Sequence, residues 1–354
     1  MFAAASETFA ITAKVCPAKT GPARRKVTGF LLFGGGMQTI GTPGLWATFT
    51  LVVLAALAVD FLVLRSSGAH RVSFREAVLW SLAWVVLALL FNLGLWWWLD
   101  GHAGRTVANE IGLEFLTGYV VEKSLAVDNI FVFLLIFNYF AVPAEQRQRV
   151  LMLGVLGAIV LRALLIFIGA ALVAEFHWVL YLFGLFLVVT GIRMLVLANQ
   201  APDLEKNPIL RWMRGHLPLT SRFHGDALQV REEGRAVYTP LFVVIVLIAI
   251  TDVIFAVDSI PAIFAVTEDP FVVLTSNVFA VLGLRAMFFL LEGAAERFHL
   301  LSYGLAAVLI FIGTKMLIAG YWKIPIGIAL GIVGLLIVTS MVASLVVKPH
   351  ARAE

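Results

Sequence analysis

The chain has 354 residues, 61% of them apolar and only 14% charged, with a mean hydropathy of +0.97. Soluble domains run nearer roughly 45–50% apolar and about 25% charged. One aqueous core could not bury so much apolar surface, so a soluble fold is excluded. The net charge of +4 and pI of about 9.3 do not point to nucleic acid. The basic residues lie in the connections between apolar runs, where membrane proteins carry their orienting charge.

Residues 1–36 carry Lys14, Lys19, Arg24, Arg25 and Lys26 and no apolar run long enough for a signal peptide. They are expected to be a disordered extension or the product of a mis-assigned start, with Met37 as the alternative start. The only cysteine, Cys16, falls in this stretch, which excludes a disulfide scaffold, a CxxC pair and a thiolate metal site. The seven histidines lie in loops or at segment ends, away from any intramembrane haem, zinc or copper position.

A membrane-spanning helix needs about 20 apolar residues. Nine stretches qualify: 44–64, 77–99, 114–140, 150–173, 177–198, 239–266, 271–291, 300–319 and 325–347. The fold class expected is an all-α polytopic membrane protein of about nine transmembrane helices. Arginine and lysine concentrate in alternate connections (Arg65, Arg71, Arg75; Arg147, Arg149; six in 199–237; Arg297; Lys348, Arg352). The other connections hold only Arg105 and Lys323. The positive-inside rule then places the C-terminus in the cytoplasm of a bacterial inner membrane. Trp46, Trp96 to Trp98, Trp178, Tyr321 and Trp322 fall at the opposite ends as an interfacial belt.

Two spans share a motif. The third holds Glu122-Lys-Ser-Leu-Ala-Val-Asp128-Asn-Ile and the sixth Asp252-Val-Ile-Phe-Ala-Val-Asp258-Ser-Ile. Leu161-Arg162-Ala163 then answers Leu284-Arg285-Ala286, and Gly191-Ile-Arg193-Met-Leu answers Gly313-Thr-Lys315-Met-Leu. Three matches in register make an internal repeat. Units of three spans insert with opposite orientation, a recurring transporter architecture with its site near the midplane. The expected organisation is two leading helices (37–113), a first repeat (114–198), a cytoplasmic linker (199–237), a second repeat (238–319), and a last helix with its tail (320–354). The linker segment Ile209–His216 is a candidate for lying on the inner membrane surface, or for a basic loop helix without a role.

Asp60, Glu122, Asp128, Asp252 and Asp258 fall inside spans, where carboxylates mark ion paths, proton relays or paired charges. Lys123, Arg162, Arg193, Arg285 and Lys315 also fall inside spans, so the bland alternative is that these acids and bases pair off structurally. Six residues along a helix separate two side chains by about 9 Å of rise and place them out of register. The two acids of one motif therefore cannot share an ion, and a site should combine acids of both repeats, most economically Asp128 with Asp258. Asn129, Ser259 and Asn277 are candidate neutral ligands, and Pro261 frees the Val257 carbonyl. Such an all-oxygen site suits hard ions: Mg²⁺, Ca²⁺, Mn²⁺ or H⁺. The glycines at 154, 157, 327, 331 and 334 read as helix packing. No phosphate-binding Gly-x-x-x-x-Gly-Lys-(Ser/Thr) loop or hydrolytic triad is present, so neither an ATP-driven pump nor an enzyme is expected, and no tightly bound cofactor.

The motifs around 122–129 and 252–267, with Val272-Val-Leu-Thr-Ser-Asn277 and Leu282-Gly-Leu-Arg-Ala-Met287, closely resemble those of the TerC/Alx family of bacterial membrane proteins over roughly 37–347. The resemblance implies manganese(II) export, an alkaline-pH response and tellurite resistance. It maps the family's acidic motifs onto Glu122, Asp128, Asp252 and Asp258. Family members commonly carry a glutamate where this chain has Ala249, a loss that weakens divalent binding or alters proton coupling. The expected function is a secondary transporter exporting Mn²⁺ as substrate, with proton coupling and oligomeric state open and the lipid bilayer as its surroundings. The alternative is a membrane-bound redox modulator or tellurite-resistance factor acting with a partner.

Overall fold

The computed structural model describes residues 39–67, 73–197, 207–220, 222–232, 235–292, 300–322 and 324–346. The expected extension 1–36 lies outside them. The chain runs through helices α1 (Pro43–Ser67), α2 (Phe74–Ala103), α3 (Arg105–Tyr139), α4 (Ala144–Glu175), α5 (Val179–Leu197) and the short α6 (Pro208–His216). It then forms strands β1 (Gln229–Glu232) and β2 (Arg235–Tyr238). Helices α7 (Pro240–Phe264), α8 (Pro270–Leu282), α9 (Leu284–Glu292), α10 (Leu301–Ile318) and α11 (Ile326–Val346) complete it.

Local chemistry explains the boundaries. Ser73 caps α2 through the Glu76 amide, Asn207 caps α6 through Ile209 and Leu210, and Asp269 caps α8 through Phe271 and Val272. Proline follows at the first helical position of α6, α7 and α8, where its missing N–H is harmless. Asp269 does more than cap. It also accepts from the Ile40 amide at 2.7 Å and the Thr39 hydroxyl at 2.9 Å, tying the start of α1 to the start of α8. Burial pushes its carboxyl above the usual carboxylate range, against the pull of those donors.

Among the described residues, seven helices are long and apolar enough to cross a membrane, and α8 with α9, bent by 41° at Gly283, makes eight. Nine spans are expected from the sequence. The difference is α3: at 35 residues it is about 52 Å long, but Glu110, Glu114, Glu122, Lys123 and Asp128 break up its apolar stretches. It runs through the interior, packed against α2, α7, α8 and α11. The all-α expectation also misses the hairpin, paired Gln229↔Tyr238 to Glu232↔Arg235. Helix α6 does not turn its apolar side to lipid. Leu210 and Met213 are buried against the bundle, and Trp212, Arg211 and Arg214 face outward.

The core has α3, α4, α7 and α8 at its centre, with α3 and α4 each packed on both α7 and α8. At one side α5 and α10 cross closely through small residues. A methyl group on Gly313 would lie 2.6 Å from the Gly184 carbonyl oxygen, and one on Gly191 would lie 2.9 Å from the Ala306 carbonyl oxygen. The glycines expected to pack elsewhere behave differently. Gly154 touches Ile248, but Gly157, Gly327, Gly331 and Gly334 have nothing within 4 Å. The α11 glycines sit on a helix whose exposed side carries Ile328, Leu335 and Val338.

Candidate functional site: a buried carboxylate and arginine network

Arg162, on α4, is fully buried at the centre of the bundle. An arginine in such a position is stable only if its donors are satisfied by anions and oxygens, and the surrounding helices supply them. Its Nη1 donates to Glu122 of α3, to Ser259 Oγ of α7 at 3.4 Å and to Asn277 Oδ1 of α8 at 3.3 Å. Nη2 donates to Asp252 Oδ1 at 3.2 Å, and Nε reaches Asp252 Oδ2 at 3.4 Å. Asn277 closes the ring by donating its Nδ2 to Glu122 Oε2 at 3.0 Å. Glu122, Asp252, Ser259 and Asn277 are all at most 3% exposed.

Four of the seven candidate residues therefore meet on one guanidinium. The acids that converge are the first of each motif, Glu122 and Asp252. Asn129 is buried on α3, about two turns along from Glu122, and Asp258 is half-buried on α7 with a partner of its own. The Asp128 side chain lies outside the described residues, so the expected Asp128–Asp258 pairing does too. Pro261 stands in the last turn of α7, which continues through it to Phe264.

A narrow cleft ends on Asp252. Phe133, Leu151, Gly154, Val155, Ala158, Ile248, Val281 and Leu284 form its apolar walls, and it admits about one water molecule. Among the described residues, no three His, Cys, Asp or Glu side chains converge closely enough to hold a metal ion.

Among the remaining intramembrane bases, the bland alternative of an acid partner describes Arg285. Arg285 of α9 forms a partly buried ion pair with Asp60 of α1. Lys123 donates to the Ala280 carbonyl, Lys315 reaches the Ala265 carbonyl at 3.4 Å, and Arg193 is exposed. Sequence reasoning misses two residues. Glu114 is buried on α3, where it accepts from Thr267 at 2.7 Å with Lys315 as its cationic neighbour. It stands at the very first position of an expected span, a signal that could have found it. Arg162 stands out in the sequence only as a repeat marker and a candidate pairing base. Its place between two acidic motifs, inside a span, is the available clue to its central role.

An all-helical bundle with a charged network sealed in its middle defines a polytopic integral membrane protein. The chain belongs to the TerC family: residues 107–352 match the family described as integral membrane protein TerC. A relative in Escherichia coli strain K12, provisionally named membrane-bound redox modulator Alx, is 52% identical over 317 residues. The match covers 89% of this chain and 99% of the relative. The protein of the same name in Photorhabdus laumondii is 50% identical over 318 residues, with 90% and 99% covered. The membrane protein STKORF319 of Myxococcus xanthus is 47% identical over 313 residues, with 88% and 95% covered. No solved structure matches the chain significantly.

Proposed function

We propose that the chain is a secondary transporter, not an enzyme, that exports a hard divalent cation, Mn²⁺ foremost, across the bacterial inner membrane with its C-terminus in the cytoplasm. The observation that carries this reading is the convergence of Glu122 and Asp252, one from each acidic motif, on Arg162 at the centre of the bundle. Two carboxylates around one guanidinium leave a surplus negative charge in a place shielded from water, which favours a cation. The oxygen-only surroundings, with Ser259 and Asn277 as neutral members, suit a hard ion. In this reading Arg162 holds the carboxylates while the site is empty. It releases them as the ion arrives, with Asp128, Asp258 and Asn129 completing the path.

The three-plus-three inverted repeat gains support from reciprocal packing. Gly191 and Gly184 on α5 correspond by sequence to Gly313 and Ala306 on α10. Gly191 meets Ala306 and Ile310, and Gly313 meets Gly184 and Val188, so each contact has its mirror. Manganese itself rests on the family resemblance.

The test is total cellular manganese, by elemental analysis, in a manganese-sensitive host lacking its own exporter. Wild type is compared with Glu122→Gln, Asp252→Asn, Asp128→Asn and Asp258→Asn at matched membrane levels. Wild type should lower manganese, and the Glu122 and Asp252 variants should not. Full activity of both would assign the network to structure alone. The name borne by the Escherichia coli relative favours a second reading, a redox modulator. With Cys16 as the sole cysteine, thiol chemistry in this chain would need a partner protein. Wild-type expression that leaves manganese unchanged but alters the membrane thiol balance would support it.

A further inference from the structure

Lys123 follows Glu122 on α3 but reaches away from the arginine network. Its ammonium donates to the Ala280 carbonyl at 3.1 Å, in the last turn of α8. A methyl group on Gly283 would lie only 2.5 Å from the Lys123 nitrogen, with Trp84 of α2 at 3.1 Å on the other side. The ammonium thus sits in the notch where α8 stops and α9 sets off at 41°. A helix ending inside a membrane leaves its last carbonyls without amide partners and gathers the negative end of its dipole there. Broken helices in transporters use such ends to coordinate Na⁺ or H⁺.

The internal repeat supplies a control. The two acidic motifs align with Lys123 opposite Val253, and the Leu-Arg-Ala matches align Gly283 with Val160. Helix α4 passes through Val160 without a break. The lysine of the first repeat and the break of the second therefore meet at one contact between the repeats, and the positions equivalent to them hold two valines, with an unbroken helix at Val160. A glycine present merely to bend α8 would have no reason to be matched with a lysine on α3.

We propose that the notch at the end of α8 is a monovalent-cation site and that Lys123 fills it with a tethered ammonium. The wild-type chain then requires neither Na⁺ nor K⁺ at this position. For the transport cycle this deepens, and rests on, the reading above: the coupling ion is not a sodium ion bound at this break. The site itself stands or falls on binding.

The test uses the full chain in detergent, melted in sodium, potassium or N-methylglucamine chloride at equal ionic strength. Lys123→Ala should melt lowest in N-methylglucamine and regain roughly 3–5 °C in sodium or potassium at a large excess over Kd. Wild type should melt alike in all three. Lys123→Val with Gly283→Val, which copies the valines at the repeat-equivalent positions 253 and 160, should lose the cation-specific shift. Absence of that shift in Lys123→Ala, or an equal shift in wild type, overturns the proposal. Should Lys123→Ala not survive extraction, the same salts are applied to intact membranes and the fraction still extractable after heating is scored; indifference there overturns it equally. Failure of the transporter reading is seen separately, as wild-type cells without manganese efflux.

Discussion

Replacing Arg162 with methionine removes the donor of five hydrogen bonds to Glu122, Asp252, Ser259 and Asn277. Glu122 keeps the Asn277 amide at 3.0 Å, but two carboxylates that are 0% and 3% exposed lose their counter-charge. Breaking a buried ion pair from one side costs about 3–5 kcal/mol, because the remaining charge is stranded. At roughly 2–4 °C per kcal/mol for larger domains, the expected fall in melting temperature is about 6–20 °C. The nine tryptophans make intrinsic fluorescence a direct readout, taken at one fixed scan rate for every variant. The triple variant Glu122→Gln, Arg162→Met, Asp252→Asn removes all three charges, and neutral replacement of a buried ion triad is often harmless to stability. It should recover most of the lost melting temperature while leaving manganese export at zero. An Arg162→Met protein melting within about 2 °C of wild type would refute the sealed network, since only a hydrated guanidinium could be dispensed with so cheaply.

Two further outcomes follow from packing and capping. Gly313→Leu should destabilise by about 1–3 kcal/mol, because the added side chain meets the Gly184 carbonyl oxygen and the Val188 amide nitrogen, backbone atoms that cannot swing aside, as well as the Val188 side chain. Gly327→Leu, with open space around it, should leave the same melting curve unchanged. Asp269→Ala removes both the α8 cap and the tie to Thr39 and Ile40. It should lower stability by about 1–2 kcal/mol and speed proteolysis near residue 40, and proteolysis at the wild-type rate would contradict the tie.

The membrane class was legible because apolar runs of about 20 residues match the thickness of a bilayer's hydrocarbon core. The long polar connection was legible as a connection, but its four-residue strands are too short for any periodicity to register. Helix α3 was legible by its length, but not that two acids within it, Glu114 and Glu122, are buried and met by Thr267 and by Arg162 of α4. The acids of the site were legible one by one, and the requirement that both motifs contribute followed from helix geometry. Which base meets which acid was not, because Arg162 is 40 residues from Glu122 and 90 from Asp252, and nothing local encodes that distance. The break at Gly283 was hidden likewise, since 271–291 reads as one unbroken apolar run.

The ion pair between Asp60 and Arg285 joins residues 225 apart in the chain, and that separation has a meaning in time. A ribosome adding 5–20 residues per second delivers Arg285 roughly 11–45 s after Asp60. During that interval α1 has left the tunnel, its aspartate does not yet have Arg285 to meet, and the bilayer is the apolar phase on offer. The nascent helix must therefore wait at the insertion machinery, lie at the interface, or enter lipid with its acid protonated, until the second half of the protein arrives to claim it.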